Sequence, residues 1–338
     1  MSHTVCVIGA GSWGTAAAGL VAPHADTVVL WAHSKQVADA ICATHHNPCY
    51  LSDYELPRNV LATSSISQAV QDASELLFVV PSAHLRSVAS QVAPYRKAHT
   101  PSLVLTKGME HKGAKTMAAV VAEELGEADL VCALSGPNHA EEICKGMVAA
   151  SVIAGPRMDI VERFQALVLS QSFRTYISND LIGVEVCGAV KNIIAIAAGM
   201  AVGHGQGDNT LAVIMTRGLA EIGRIVSAVG GDPLTCMGLA GMGDLVATCT
   251  SEHSRNRSFG VALASGTTLE EYEAQTHMVV EGARAAKSVY EIALDKHIEV
   301  PITKAIHAIL YEGVSLEQGL KELLGRKPRN EFYGFERD

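Results

Sequence analysis

The 338-residue sequence predicts an α/β chain, with a doubly wound sheet over residues 1–179 followed by an all-α domain over 180–338. Three observations carry that prediction. Short β-branched runs alternate with helical segments up to about residue 178, which implies parallel βαβ units with helices on both faces. A glycine-rich turn joins the first apolar run to a small-residue helix. After Asp180 the strand signals stop and helical periodicity takes over.

Strands are expected over residues 4–8, 27–31, 76–80, 103–106, 130–134, 149–154 and 174–177. The stretch 44–59, with Pro48 and Pro57, breaks the alternation and reads as a long surface connection. Helices in the second half are expected over roughly 181–202, 208–229, 232–237, 243–249, 255–265, 268–273, 281–295, 300–310 and 315–323. The charged end, 326–338, reads as a surface tail, and no internal repeat is visible.

Hydrophobic residues make up 48% of the chain and charged residues 18%, the balance of a globular protein with a large core. A net charge of -9 supplies no basic face for nucleic acid or for an anionic membrane. Eight cysteines are scattered without a C-x-x-C pair, several within apolar patterns, so a reducing compartment and no metal site are expected. The apolar stretch nearest in length to a membrane span carries Lys191 at its centre, which argues against insertion. The first apolar run leads into glycines rather than into a cleavable leader, so a cytoplasmic protein is expected.

Gly9-Ala10-Gly11-Ser12-Trp13-Gly14 follows the first strand and opens a helix, the context a dinucleotide-binding, Rossmann-type turn requires. Gly9 permits the tight turn, Gly11 lets backbone amides approach a pyrophosphate, and Gly14 allows the helix to pack on the strand. The second strand ends in Ala32-His33-Ser34-Lys35, where an acid would ordinarily take the ribose 2′-hydroxyl. His33 and Lys35 are either residues that tolerate or attract a 2′-phosphate, which favours NADP or use of both NADP and NAD, or ordinary solvated residues.

Ligands of open α/β sheets bind beyond the carboxyl ends of the strands, where two further loops occur. In Thr106-Lys107-Gly108 the lysine is either a flexible cation that holds an anionic or carbonyl oxygen, the reading the upstream glycine turn favours, or a solvated loop lysine. In Ser135-Gly136-Pro137-Asn138-His139-Ala140 the glycine exposes backbone, and Asn138 is expected in the first turn of the next helix. His139 reads as a helix-start residue.

Lys191 stands in the most apolar helical stretch, with no other charged residue or histidine between Glu185 and His204. A buried ammonium must be paired, face a ligand or shift its pKa, while a lysine that snorkels to the surface is the alternative. Asn192 is polar beside it, and Gly188, Ala195 and Gly199 leave room for a helix or a substrate. Asp244, after Gly241-Met242-Gly243, is either a helix cap or the partner that orients Lys191. Ser254-Arg255-Asn256-Arg257 opens another helix, as a phosphate cradle or as an ordinary solvated helix end. Glu281 is an acidic first-turn residue or a hydroxyl-binding group.

Taken together, these motifs make the chain resemble the bacterial NAD(P)-dependent glycerol-3-phosphate dehydrogenases over nearly its whole length. The motifs that carry the resemblance are 9–16, 106–108, 135–138, Ala189-Val190-Lys191-Asn192, 241–245 and 254–256. The resemblance implies reversible reduction of dihydroxyacetone phosphate to sn-glycerol 3-phosphate, feeding phospholipid synthesis. It implies that Lys191 is the general acid/base and that Lys107 meets substrate and cofactor. Gly136, Asn138, Asp244, Ser254, Arg255 and Asn256 then bind substrate, and the second domain is the substrate-binding domain. Ser12, Trp13, His33, Ala140, Val279 and Glu281 then meet the nucleotide, with Arg255 shared. Two departures stand out: Asn138 replaces a frequent serine or threonine, and His139 a common aromatic. Chemically, hydride would reach the carbonyl carbon while Lys191 protonates the developing alkoxide. Lys107 and Asn192 would stabilise oxygen charge. A homodimer is expected. The alternatives are another two-domain hydroxyacid or ketoacid dehydrogenase, and a non-catalytic nucleotide sensor.

Overall fold

A computed structural model describes residues 2–110, 115–276, 278–327, 330, 331, 333 and 334. The chain divides into two compact units, Met1–Thr106 with Met117–Leu181, and Lys107–Thr116 with Ile182–Asp338. In the first unit β1 (Thr4–Ile8), α1 (Ser12–Val21), β2 (Thr27–Trp31), α2 (Lys35–Thr44), β3 (Val60–Thr63) and α3 (Ile66–Val70) follow in order. Then come β4 (Glu75–Phe78), α4 (Ser82–Val92), β5 (Ser102–Val104), α5 (Met117–Leu125) and β6 (Val131–Ser135). The unit closes with α6 (Ala140–Cys144), β7 (Ala149–Ala154), α7 (Met158–Val168) and β8 (Phe173–Ser178).

These strands form one eight-stranded sheet in the order β3-β2-β1-β4-β5-β6-β7-β8. Strand β1 shows why it is doubly wound. Successive side chains point to opposite faces, and here both faces are covered. Val5 and Val7 pack with Ala17 and Val21 of α1 and Phe164 of α7. Cys6 and Ile8 pack with Leu85 of α4 and Val120 of α5. The order reverses at β1, where β2 lies on one side and β4 on the other.

The sheet corrects the sequence reading at β3, at β7 and at strand ends such as those of β4 and β5. Strand β3 was not expected, because its four residues lie at the sheet edge with Leu61 exposed, so no apolar alternation marks it. Strand β7 runs antiparallel to β6, against the expected all-parallel order. The five-residue helix α6 rises only about 7.5 Å, too little to carry the chain back along a strand for a parallel crossover. Strand β4 ends at Phe78, two residues before the expected end, where Val79 passes against Gly9. The 44–59 connection is also anchored more deeply than a surface loop, with Asn47 and Leu56 buried.

The second unit is helical. It contains α8 (Leu181–Gly203), α9 (Asp208–Ala228), α10 (Asp244–Thr250) and α11 (Arg255–Ala264). These are followed by α12 (Leu269–Thr276), α13 (Glu281–Asp295), α14 (Pro301–Tyr311) and α15 (Leu316–Leu324). A 3-10 turn at Pro233–Met237 and a π turn at Leu239–Gly243 precede α10. Helix α8 is long and apolar enough to cross a membrane by length and composition, and 83% of its most apolar window is buried within the protein. Helix α11 can lie directly on it because Gly199 has no side chain; a Cβ there would sit 2.0 Å from the Arg257 carbonyl oxygen. Glu221 of α9 accepts hydrogen bonds from the Ile302 and Thr303 amides, satisfying the start of α14, whose first residue is Pro301.

The described part of the tail does more than cover surface. Arg217 donates to the Glu331 carbonyl, and the Arg224 guanidinium lies 4.6 Å from the Tyr333 ring centre.

Candidate active site

The first unit places one group of expected residues along the edge where its parallel strands end. After β1, Gly9 adopts φ +120°, and a Cβ on Gly14 would lie 1.7 Å from the Gly9 oxygen, so the turn closes only with glycine at both positions. At Gly11 a Cβ would meet nothing within 4 Å, and no side chain caps the start of α1. Open space facing uncapped helix amides suits a pyrophosphate. Ser12 and Trp13 begin that helix, both partly exposed. His33 follows β2 and is exposed, its ring 6.2 Å from that of Trp31. Lys35 pairs with Asp39 at 2.8 Å on the exposed side of α2, so its charge is already partly matched.

At the end of β6, Gly136 adopts φ +148° and packs so closely on Ala150 and Ser151 that a Cβ would lie 2.7 Å from the Ser151 Cα. Asn138 lies before α6 rather than in its first turn, and its amide donates to Ser151 Oγ at 3.2 Å. Ala140 is buried at the helix start, with His139 in the preceding cap position.

The second unit assembles the other group around Asp244. Lys191 donates to Asp244 Oδ1 at 2.6 Å and to Thr248 Oγ1 at 2.6 Å. Lys107 donates to the other carboxylate oxygen, Oδ2, at 2.7 Å. The Lys107–Thr116 segment belongs with the helical unit, although its position suggested the first domain. Lys191 and Asp244 are 5% and 2% exposed, so that pair is buried, while Lys107 is partly exposed. Asp244 heads α10 but caps nothing with its side chain, which settles the alternative in favour of the ion pair.

The charges follow from this packing. Burial drives the Lys191 ammonium down to a pKa of about 8; the Asp244 carboxylate resists that fall and the Lys107 charge adds to it. Burial pushes Asp244 up, but the two lysines outweigh it and hold the carboxyl below its ordinary value. Two cations share one carboxylate, which leaves a net positive charge in a region of low dielectric. Such a cluster attracts an anion or a developing oxyanion.

Thr248 was missed in the sequence, although it lies one helical turn after Asp244. Its hydroxyl donates to the Asp244 carbonyl oxygen at 2.6 Å, which leaves its lone pairs for Lys191.

Beside this cluster, Asn192 Oδ1 accepts from Asn256 at 2.9 Å, and Asn256 Oδ1 accepts from the Gly282 amide at 2.9 Å. These bonds bring the starts of α11 and α13 against α8 next to Lys191. Ser254 caps α11 by accepting from the Arg257 amide, while Arg255 is exposed. Glu281 begins α13 and Val279 precedes it, both partly exposed.

A glycine turn at the reversal point of a doubly wound sheet, with a helical unit holding a buried lysine–aspartate cluster, defines a class of two-part dinucleotide-dependent oxidoreductases. Family models for the N-terminus and the C-terminus of NAD-dependent glycerol-3-phosphate dehydrogenase match residues 4–161 and 180–321. The chain belongs to that family. It is 42% identical over 335 residues to glycerol-3-phosphate dehydrogenase (NAD(P)+) 2 of Salinibacter ruber, covering 98% of this chain and 97% of the relative. A Chlorobium limicola glycerol-3-phosphate dehydrogenase (NAD(P)+) is 41% identical, with 97% and 99% covered. The crystal structure of Coxiella burnetii glycerol-3-phosphate dehydrogenase superposes with a TM-score of 0.91 at 38% identity, covering 96% of this chain and 99% of that one.

Proposed function

We propose that the protein reduces dihydroxyacetone phosphate reversibly to sn-glycerol 3-phosphate with NADPH or NADH, and that Lys191 is its general acid/base. The observation that carries this reading is the buried cluster of Lys191, Lys107, Asp244 and Thr248. The names of the relatives, which are glycerol-3-phosphate dehydrogenases, supply the substrate.

Bound NAD(P)H would supply the hydride to the substrate carbonyl carbon. Gly9, Gly11 and Gly14 shape the turn that would hold its pyrophosphate, with Ser12, Trp13, His33, Ala140, Val279 and Glu281 as further nucleotide contacts. In the second unit, Asp244 and Thr248 use two of the three Lys191 N–H groups and leave the third for the substrate oxygen. Lys191 protonates that oxygen as the alkoxide develops, and recovers the proton when the reaction runs in reverse. Lys107 and Asn192 stabilise the oxygen charge. Arg255, Ser254 and Asn256 hold the phosphate, and Gly136 and Asn138 are further substrate contacts. A cytoplasmic homodimer that supplies phospholipid synthesis completes the reading, and sedimentation would test the dimer.

The deciding experiment compares initial rates of NADPH and NADH oxidation with dihydroxyacetone phosphate and with small keto acids. Turnover of dihydroxyacetone phosphate far above that of the keto acids is expected. Preference for a keto acid would overturn the substrate assignment, and nucleotide binding without turnover of any of them would revive the sensor.

A further inference from the structure

We propose that Asn47 is a positioning residue for the dinucleotide, acting through the shape of the Gly9–Gly14 turn. The inference rests on the reading of that turn as the pyrophosphate site.

Asn47 lies in the connection between α2 and β3 and is completely buried. Its amide nitrogen donates to the Ala10 carbonyl oxygen at 3.0 Å and to Thr15 Oγ1 at 2.8 Å. Its amide oxygen accepts from the backbone of Cys49 at 3.0 Å and of Tyr50 at 3.2 Å. Both donors and both lone pairs of the carboxamide are therefore engaged, which fixes its orientation. One side chain thus ties the connection to the turn and to the first turn of α1.

The consequence for a ligand follows from peptide geometry. In a trans peptide the carbonyl and the following N–H lie in one plane and point in opposite directions. Holding the Ala10 carbonyl toward Asn47 therefore aims the Gly11 N–H away from it. Gly11 is also the turn residue at which an added Cβ would meet nothing within 4 Å. Thr15 braces the same arrangement, since its own amide donates to the Gly11 carbonyl at 2.9 Å. Without Asn47 the Ala10 carbonyl and the Thr15 hydroxyl would lose their donor, and the peptide between Ala10 and Gly11 would be free to rotate.

The test measures NADPH affinity by fluorescence titration, together with steady-state kinetics, for the full chain and for Asn47→Ala. Loss of a buried hydrogen-bond pair predicts a nucleotide Kd and KM raised about tenfold. At saturating nucleotide, kcat and the KM for dihydroxyacetone phosphate should stay within about threefold of wild type, because the reacting groups do not touch Asn47. An unchanged nucleotide Kd in Asn47→Ala overturns the proposal, as does an equal loss in kcat with nucleotide affinity kept. Should Asn47→Ala fail to fold, Thr15→Val and Thr15→Ser decide. The valine should weaken NADPH binding severalfold and the serine should restore it; equal binding by both overturns the proposal. Wild-type protein that binds neither nucleotide would instead overturn the dinucleotide reading itself.

Discussion

Lys191 is a cation that its surroundings make costly, and its protonation follows from how far its neighbours compensate. With a pKa of about 8 it keeps its proton at neutral pH and loses it within an accessible range. A group that must be protonated for reduction then predicts a kcat/KM for dihydroxyacetone phosphate reduction that falls as pH rises through about 8, and one for glycerol 3-phosphate oxidation that rises. A profile that is flat from about pH 6 to about pH 10 in both directions would remove the assignment. Lys191→Ala should lower turnover by about 10²–10⁴-fold while keeping NADPH affinity; near-normal turnover would refute it. Arg255 is exposed beside Asn256, so Arg255→Ala should act on binding rather than chemistry, raising the KM for dihydroxyacetone phosphate about tenfold with kcat little changed. An unaltered KM would place the phosphate elsewhere.

Between residue and domain, the contact of α8 with α11 positions the site. Gly199 lets the two helices touch, and the bond from Asn256 to Asn192 fixes the start of α11 beside Lys191. Gly199→Ala forces a Cβ toward the Arg257 carbonyl, so α11 must shift away from α8. Overpacking of this kind costs about 1–3 kcal/mol. Thermal denaturation should show a lower Tm, and the substrate KM should rise with it because the start of α11 moves. A variant with wild-type Tm and KM would show that the contact is not what sets the position of α11.

For the molecule as a whole, nucleotide binding and folding are linked, because a dinucleotide would recognise the folded turn and not the unfolded chain. NADPH at about 100 times its Kd should add about 2.7 kcal/mol to stability. Calorimetry with and without NADPH checks this, and an unshifted melting transition at that concentration would contradict a site built on the folded turn.

Much of this is legible in the amino-acid order alone. The glycine turn is a local device: Gly9, Gly11 and Gly14 act over six residues, so their spacing announces the turn. Lys191 was equally visible, because a charge within an apolar helix stands out in one dimension. The boundaries of α8 and α13 followed from periodicity for the same reason. Other features depend on partners distant in the chain. Asp244 receives Lys191 from 53 residues away and Lys107 from 137 residues away, and only the folded packing decides between a cap and a shared counter-ion. Strand β3 carries too few residues to show a period, and the reversal of β7 reflects the reach of α6 in space. The role of Asn47 was hidden because its four bonds exist only once the connection folds onto the turn. Periodicity and turn chemistry are properties of neighbours in sequence, and these the sequence determined by itself. Which charges meet, and which carbonyl a side chain holds, are properties of neighbours in space, and those were decided by the tertiary structure.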